Sequence, residues 1–350
     1  MARRPRIGVI RGDGIGPEVV GAALEVLGEL GVDAELVDIE AGLRAYEKYG
    51  RTLPPDFVDV AKELDAILKG PLQTPKGPGT PRSANVEIRR LLGLYANVRP
   101  FRSFRGISRD TFDFVIVREN TEDLYVGLEG RFGDTAIALK VITREGSTRV
   151  SEFAFELARA RGYARVTAVH KANILKETDG LFREAFLEVA SRHPWARADE
   201  MLVDAAAYAL VRRPSEFQVI VTPNLYGDIL SDLAAGMVGS LGLCGSGQYG
   251  AGIPVFEPVH GTAPDIAGKG VANPIGQIEA ARLMLEFLGA KHGDEGLLAR
   301  ARALSDAVRR VVEERVALPP DLGGSSGTFD VARAIASTAR ALLEGGLEGR

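Results

Sequence analysis

One cysteine, one tryptophan and four histidines in 350 residues leave little material for several kinds of chemistry. Cys244 on its own excludes an intrachain disulfide framework or a thiolate zinc cage. It lies in a small-residue stretch with no base beside it, which reads as a packing thiol rather than a nucleophile. No apolar run approaches the roughly 18 residues that span a bilayer, so no membrane partner is expected. The basic start offers only Ile7 to Ile10 as an apolar core before Arg11 and Asp13 interrupt it. No signal peptide is read there, and a cytoplasmic location is expected. Basic clusters are missing too: the net charge is -4 and the cations are scattered, which argues against nucleic acid and for a small-molecule ligand.

The composition that remains, 45% hydrophobic and 26% charged, is that of a folded globular chain, and the length suggests about two domains. The 41 glycines exceed the usual ~7% share, so backbone turns tightly or approaches something closely in many places. Apolar runs of strand length lie at Arg6 to Ile10, Ala34 to Ile39, Ala66 to Leu68, Phe112 to Val117, Val166 to His170 and Phe217 to Thr222. Helical periodicity marks Pro17 to Leu30, Ser151 to Arg161, Leu181 to Ser191, Gln277 to Leu288, Leu297 to Glu314 and Val331 to Leu343. Their alternation predicts an α/β fold whose large sheet is covered on both faces. With no repeat or long linker, the domains are expected to be closely apposed. Three Gly/Pro-rich segments, Gly70 to Arg82, Gly239 to Pro254 and Glu257 to Pro274, break the pattern and are expected to be functional loops.

The turn Gly12-Asp13-Gly14-Ile15-Gly16-Pro17 invites a dinucleotide-binding reading. Its glycines fall at every second position, whereas that fingerprint needs G-x-G-x-x-G. A tight structural turn is expected instead, with any nicotinamide cofactor bound elsewhere.

Five other segments carry chemistry. A helix beginning near Gly227 places Asp228 and Asp232 at i and i+4 on one face. Two such carboxylates repel unless a cation lies between them, and hard oxygen ligands select Mg²⁺ or Mn²⁺. The alternative is a capping Asp228 and a solvated Asp232. Arg118, Tyr125 and Lys171 lie at or just after strand ends, where open α/β sheets bind ligands. Singly they also read as a surface ion pair, a half-buried tyrosine and a solvated lysine. Ser83 can cap a helix beginning near Asn85, with Arg89 about one turn beyond on a similar face. Arg89, Arg99 and Arg118 are then three guanidinium forks suited to a polycarboxylate, or else surface solubilisers. Finally, the loop Glu257 to Pro274 can bring backbone close to a flat ligand, and an acid in it can accept from ribose hydroxyls.

Taken in order, these segments resemble the family of isocitrate, isopropylmalate and homoisocitrate dehydrogenases, from Arg6 to about Leu343. The resemblance implies a two-domain α/β fold with a large mixed sheet and no Rossmann domain. Residues 1–99 with 239–350 would form the large cofactor-binding domain, and 100–238 a small domain with the dimer interface and the metal and catalytic residues. Asp204, Asp228 and Asp232 match metal ligands for Mg²⁺ or Mn²⁺. Lys171 matches the catalytic base and Tyr125 the acid. Lys171 and Asp204 match groups lent by a second subunit, which implies a homodimer sharing its active sites. Ser83, Asn85, Arg89, Arg99, Arg118 and Asn173 match substrate-binding positions. Thr74, Asn224, His260, Gly261, Thr262, Ala263, Asp265, Ile266 and Asn273 match cofactor-binding ones. Asp265 and Ile266 stand where NADP-using relatives resemble Lys-Tyr, and a carboxylate there repels a 2'-phosphate, so NAD is expected. Ser83 and Asn85 match the isocitrate members. The reaction implied is NAD-dependent oxidative decarboxylation of isocitrate to 2-oxoglutarate, CO2 and NADH, with homoisocitrate and 3-isopropylmalate as alternatives. A non-catalytic regulatory subunit is disfavoured because Tyr125, Lys171 and all three aspartates are present.

Overall fold

The computed structural model describes residues 4–74, 81 and 83–345. Ten strands form one sheet in the order β2 (Glu35–Asp38), β1 (Arg6–Ile10), β3 (Ala66–Lys69), β12 (Val255–Pro258), β11 (Gly245–Tyr249), β4 (Ala96–Arg102), β5 (Asp113–Glu119), β10 (Val219–Thr222), β8 (Arg165–His170) and β9 (Arg197–Leu202). Pairing is parallel from β2 to β12 and from β5 to β9. It is antiparallel at β12–β11, β11–β4 and β4–β5, so two parallel blocks meet at an antiparallel centre. The mixed α/β sheet implied by the resemblance is what forms. A separate hairpin joins β6 (Glu129–Phe132) to β7 (Thr135–Ala138).

The helices are α1 (Gly16–Glu29), α2 (Leu43–Tyr49), α3 (Phe57–Lys62), α4 (Ala84–Leu91), α5 (Arg144–Ala160), α6 (Thr178–Ser191), α7 (Val203–Arg212), α8 (Asn224–Val238), α9 (Ile275–His292), α10 (Glu295–Glu313) and α11 (Thr328–Gly345). Strands such as β10 are buried along their whole length because helices cover both faces, which is why they read as unbroken apolar runs. In α10 the buried Leu297, Ala301, Leu304, Val308 and Val311 recur at helical spacing and pack into the core shared with α9 and α11. Burying each such leucine or valine contributes about 1.5–3 kcal/mol. Asp294 starts the helix by accepting the Leu297 N–H at 3.0 Å.

Several elements differ from the sequence reading. Gly239 to Pro254, expected as a loop, contains β11 at the centre of the sheet. Its Gly245, Ser246, Gly247 and Gln248 are buried without any apolar signal. A Cβ on Gly245 would lie 2.5 Å from the Ala280 backbone nitrogen in α9, so close helix packing requires glycine there. Helix α8 begins at Asn224, about one turn before Gly227, and α5 begins at Arg144 rather than Ser151, with Thr143 accepting from Gly146 N–H at 3.0 Å. Strands β4 and β9, the hairpin and the short helices α2, α3 and α7 had no strong pattern. Of the Gly70 to Arg82 segment, residues 75–80 and 82 lie outside the described residues.

The glycine turn is a structural one. Gly12 and Gly14 have φ of 79° and 58°, and a Cβ on Gly14 would sit 2.0 Å from the Thr262 carbonyl oxygen. Ile15 N–H donates to that oxygen at 2.9 Å, so the turn seats the loop that follows β12.

Candidate active site

The antiparallel centre of the sheet decides which polar groups share a face. Asn97 lies opposite both Arg118 and Gln248, while Ser246 lies opposite Glu257. Directly opposed residues point the same way and side chains alternate along a strand, so Asn97, Arg99, Arg118, Ser246, Gln248 and Glu257 all emerge on one face. Helix α4 adds Arg89, whose Nε donates to Gln248 Oε1 at 2.9 Å. Gln248 in turn donates to Glu257 at 2.6 Å and accepts from Asn120 at 2.7 Å. Below them Lys69, at the end of β3, forms an ion pair with Glu257, and both are buried. Burial alone would raise the Glu257 carboxyl, but Lys69 and Arg89 hold it below the usual range. Breaking such a buried pair by removing one partner costs about 3–5 kcal/mol.

Above this seam a cleft of about 400 Å³ is lined by Ser83, Asn85, Arg89, Arg99, Arg118, Tyr125, Asp228, His260 and Gly261, with Pro71, Leu72 and Val86 among its apolar walls. The structure therefore brings together residues from α4, β4, β5, α8 and the loop after β12. All three arginines are buried. Burial and the neighbouring Arg118 push Arg99 down to about 10, and Arg89 is shifted down for the same reasons. Three mutually repelling guanidiniums at one cleft form a receptor for several negative charges. Ser83 occupies the N-cap position of α4 as expected, although the helix begins at Ala84, its side chain makes no cap bond, and it lines the cleft. Asn85 Oδ1 is buried without a partner.

On α8, Asp228 forms an ion pair with Arg118, lies 3.6 Å from Arg99 and accepts the Tyr125 hydroxyl at 2.5 Å. Burial would raise it, but Arg118 and Arg99 outweigh that and hold it below the usual carboxylate range. Asp232, one turn on, is pushed up by burial and by Asp228. Tyr125 is likewise raised, first by burial, and the Arg118 guanidinium stands 5.0 Å from its ring centroid. The Asp228 and Asp232 pair offers hard oxygen donors that fit Mg²⁺ or Mn²⁺ as a partial set. Among the described residues of one chain no cluster of three such ligands forms. Asp204, at the start of α7, pairs with Lys171 instead. Lys171 and the exposed Asn173 follow β8 and do not line the cleft.

A second cavity of about 420 Å³ adjoins the first at His260 and is lined by Ile15, Gly242, Ile266, Val271, Asn273, Pro320 and Asp321. It is largely apolar, as a slot for a flat ring would be. His260 Nε2 is buried without a partner, and burial shifts the imidazole down toward its neutral form. Such an orphaned atom between two cavities fits a polar group of a ligand that spans both. Asp265 is exposed and lines neither cavity, while Ala263 holds a φ of 35°. Thr74 is exposed at the edge of the described segment. Asn273 has structural partners, donating to Asp321 at 3.0 Å and accepting from Ile275 N–H at 3.0 Å. Asn224 is wholly buried, accepting from Arg118 Nε at 2.9 Å and donating to the Glu122 carbonyl at 3.3 Å.

Sequence reasoning passed over Glu18, whose carboxylate accepts from Gly270 N–H at 3.3 Å and Ala272 N–H at 3.1 Å and also meets Thr328. It fastens the loop after β12 to α1 and α11, and nothing local in the sequence signals those distant partners. Lys69 and Gln248 were missed for the same reason, although a lysine closing the apolar run of β3 was a usable sign.

This fold and site define an α/β protein with three buried arginines gathered at one cleft. The chain matches the isocitrate/isopropylmalate dehydrogenase family model over residues 6–337 and belongs to that family. It is 44% identical to the homoisocitrate dehydrogenase of Methanocaldococcus jannaschii, across 97% of this chain and 99% of that protein. It is 45% identical to a 3-isopropylmalate dehydrogenase of Methanothermobacter thermautotrophicus, across 95% and 97%. The crystal structure of isocitrate dehydrogenase from Methylococcus capsulatus superposes with a TM-score of 0.90 at 44% identity, covering 96% of this chain and 99% of that one. The protein is thus a β-decarboxylating dehydrogenase of that family, and among its described residues no helix is long and apolar enough to cross a membrane.

Proposed function

We propose that the chain is the catalytic subunit of a homodimeric, NAD-dependent isocitrate dehydrogenase that requires Mg²⁺ or Mn²⁺. The observation that carries the choice of substrate is the cleft wall at α4, where the Ser83 hydroxyl and the unpartnered Asn85 Oδ1 stand beside three buried arginines. A third carboxylate would accept from the Ser83 hydroxyl and the Asn85 Nδ2 amide, while Asn85 Oδ1, itself an acceptor, would take a hydrogen bond from a bridging water. An isopropyl group would leave these polar groups unpaired, at about 1–3 kcal/mol for a buried polar atom. Homoisocitrate carries the same carboxylate one methylene further out and is the second reading, favoured by the likeness to the Methanocaldococcus enzyme.

In this reading Arg89, Arg99 and Arg118 hold the substrate carboxylates against the sheet. Lys171, directly or through water, takes the C2 hydroxyl proton. Asp228, Asp232 and the partner's Asp204 would hold a metal that supplies a Lewis acid, and NAD, when bound, would supply the hydride acceptor. Tyr125, kept protonated by its raised pKa, delivers a proton to C3 once CO2 has left. The division into residues 1–99 with 239–350 and residues 100–238 is part of the proposal, the cleft lying between the two. Shared active sites account for Lys171 and Asp204 lying outside the cleft that Tyr125 lines in the same chain. The exposed apolar Phe132, Ile137 and Leu139 at the hairpin, Tyr208 on α7 and Ile229 on α8 supply a surface for the second subunit.

Three measurements check this. Turnover with isocitrate, homoisocitrate and 3-isopropylmalate, each with NAD⁺ and NADP⁺, should give the highest kcat/KM for isocitrate with NAD⁺. Replacing Ser83 and Asn85 together by leucine should lower the isocitrate value while that for 3-isopropylmalate holds or rises. Equal use of isocitrate and 3-isopropylmalate by the unaltered enzyme would remove α4 as the selector. For the cofactor, Asp265→Lys with Ile266→Tyr should reduce the preference for NAD⁺ over NADP⁺ by at least about tenfold, or about 1.4 kcal/mol. An unchanged ratio would place the adenosine ribose elsewhere.

A further inference from the structure

We infer that Lys140 is a positioning residue that serves two active sites at once, its own subunit's and the partner's, an inference that rests on the shared-site homodimer proposed above. Lys140 follows β7 and lines neither cavity of the candidate site. Its ammonium lies 2.6 Å from Asp179 and 3.6 Å from Asp123, and 4.3 Å from the centroid of the Tyr226 ring. Both carboxylates are completely buried and Lys140 is largely so. One cation therefore neutralises two buried anions, neither of which is open to solvent.

The two aspartates hold different parts of the machinery. Asp123 accepts from Leu124 N–H and Leu225 N–H, each at 2.9 Å. Leu225 lies in the first turn of α8, three residues before Asp228, and Leu124 immediately precedes Tyr125. Asp123 itself has a φ of 69°, an uncommon conformation for a residue with a Cβ, and its fixed carboxylate helps to hold that bend. Asp179, on α6, accepts the backbone N–H of Lys171 at 2.7 Å. In a dimer with shared sites, Tyr125 and Asp228 act in one site while Lys171 reaches into the other. Lys140 is thus the strut between the segment that shapes the first and the segment that presents the base to the second.

Mixed dimers carrying a different tag on each chain separate this from an ordinary local defect. A dimer of Tyr125→Phe with Lys171→Met contains one intact site if sites are shared, and should recover about half of wild-type kcat. No recovery would overturn the shared-site reading and this inference with it. A dimer of Lys140→Met with wild type should fall to about one tenth or less, because one altered chain disturbs both sites. A dimer of Asp179→Asn with wild type keeps the Lys140–Asp123 contact and should retain about half. If Lys140→Met does not fold, as judged by thermal melting and gel filtration, Lys140→Gln, which removes the cation between the two carboxylates but keeps a polar side chain, takes its place with the same expected loss. Half or more of wild-type kcat in the mixed dimer carrying the altered Lys140, with recovery in the Tyr125→Phe and Lys171→Met pair, would show that Lys140 acts within a single site.

Discussion

Lys171→Met is expected to lower kcat for oxidative decarboxylation by about 10²- to 10⁴-fold, the range that a positioned acid or base contributes. Substrate KM should change little, because the carboxylates are held by Arg89, Arg99 and Arg118 rather than by Lys171. The melting temperature should also hold. Lys171 is partly exposed and its partner Asp204 is largely so, and pairs of that kind add little to stability. Steady-state kinetics alongside a thermal melt distinguishes these effects. A kcat within about threefold of wild type, less than a positioned base supplies, would remove Lys171 from that role.

Asp228→Asn should abolish turnover to a similar degree, and excess chelator should do the same to the wild type until Mg²⁺ or Mn²⁺ is restored. Asp228 faces Arg118 and Arg99 and accepts from Tyr125, so its charge organises the proposed acid and the proposed substrate-binding cations as well as the proposed metal site. A pH signature accompanies the loss. Because the folded-state pKa of Asp228 is depressed, its contribution to stability is present above the ordinary aspartate range and is lost as pH falls through the depressed value. The Asn variant lacks that contribution, so its melting temperature should fall less on acidification than that of the wild type. Full activity in chelator, or an acid profile unchanged by the substitution, would count against this role.

Much of the site was legible because its chemistry lies in contiguous segments. Asp228 and Asp232 share a face whether α8 begins at Gly227 or at Asn224, since helical spacing fixes their relation. The arginines and Tyr125 were found at strand and helix ends, and the cleft does gather Arg89, Arg99, Arg118 and Tyr125. The supports were hidden. Gln248 sits in a glycine-rich stretch with no strand signal, yet it is the buried hub joining Arg89, Asn120 and Glu257. Lys140, Asp123 and Asp179 are separated by tens of positions and look like ordinary charged residues until the fold buries them together.

The sequence by itself determined the alternating helices and strands, the turn at Gly12 to Gly16 and the residue types that handle carboxylates, because each depends on neighbours a few positions away. Only the tertiary structure decided that β11 would stand between β12 and β4, and so which polar side chains share one face. It alone also paired Asp204 with Lys171 and left both outside the cleft that Tyr125 lines. Strand order and burial arise from long-range packing, and a glycine-rich strand gains its stability from hydrogen bonds on both sides and a closely packed helix rather than from any preference written in its own residues.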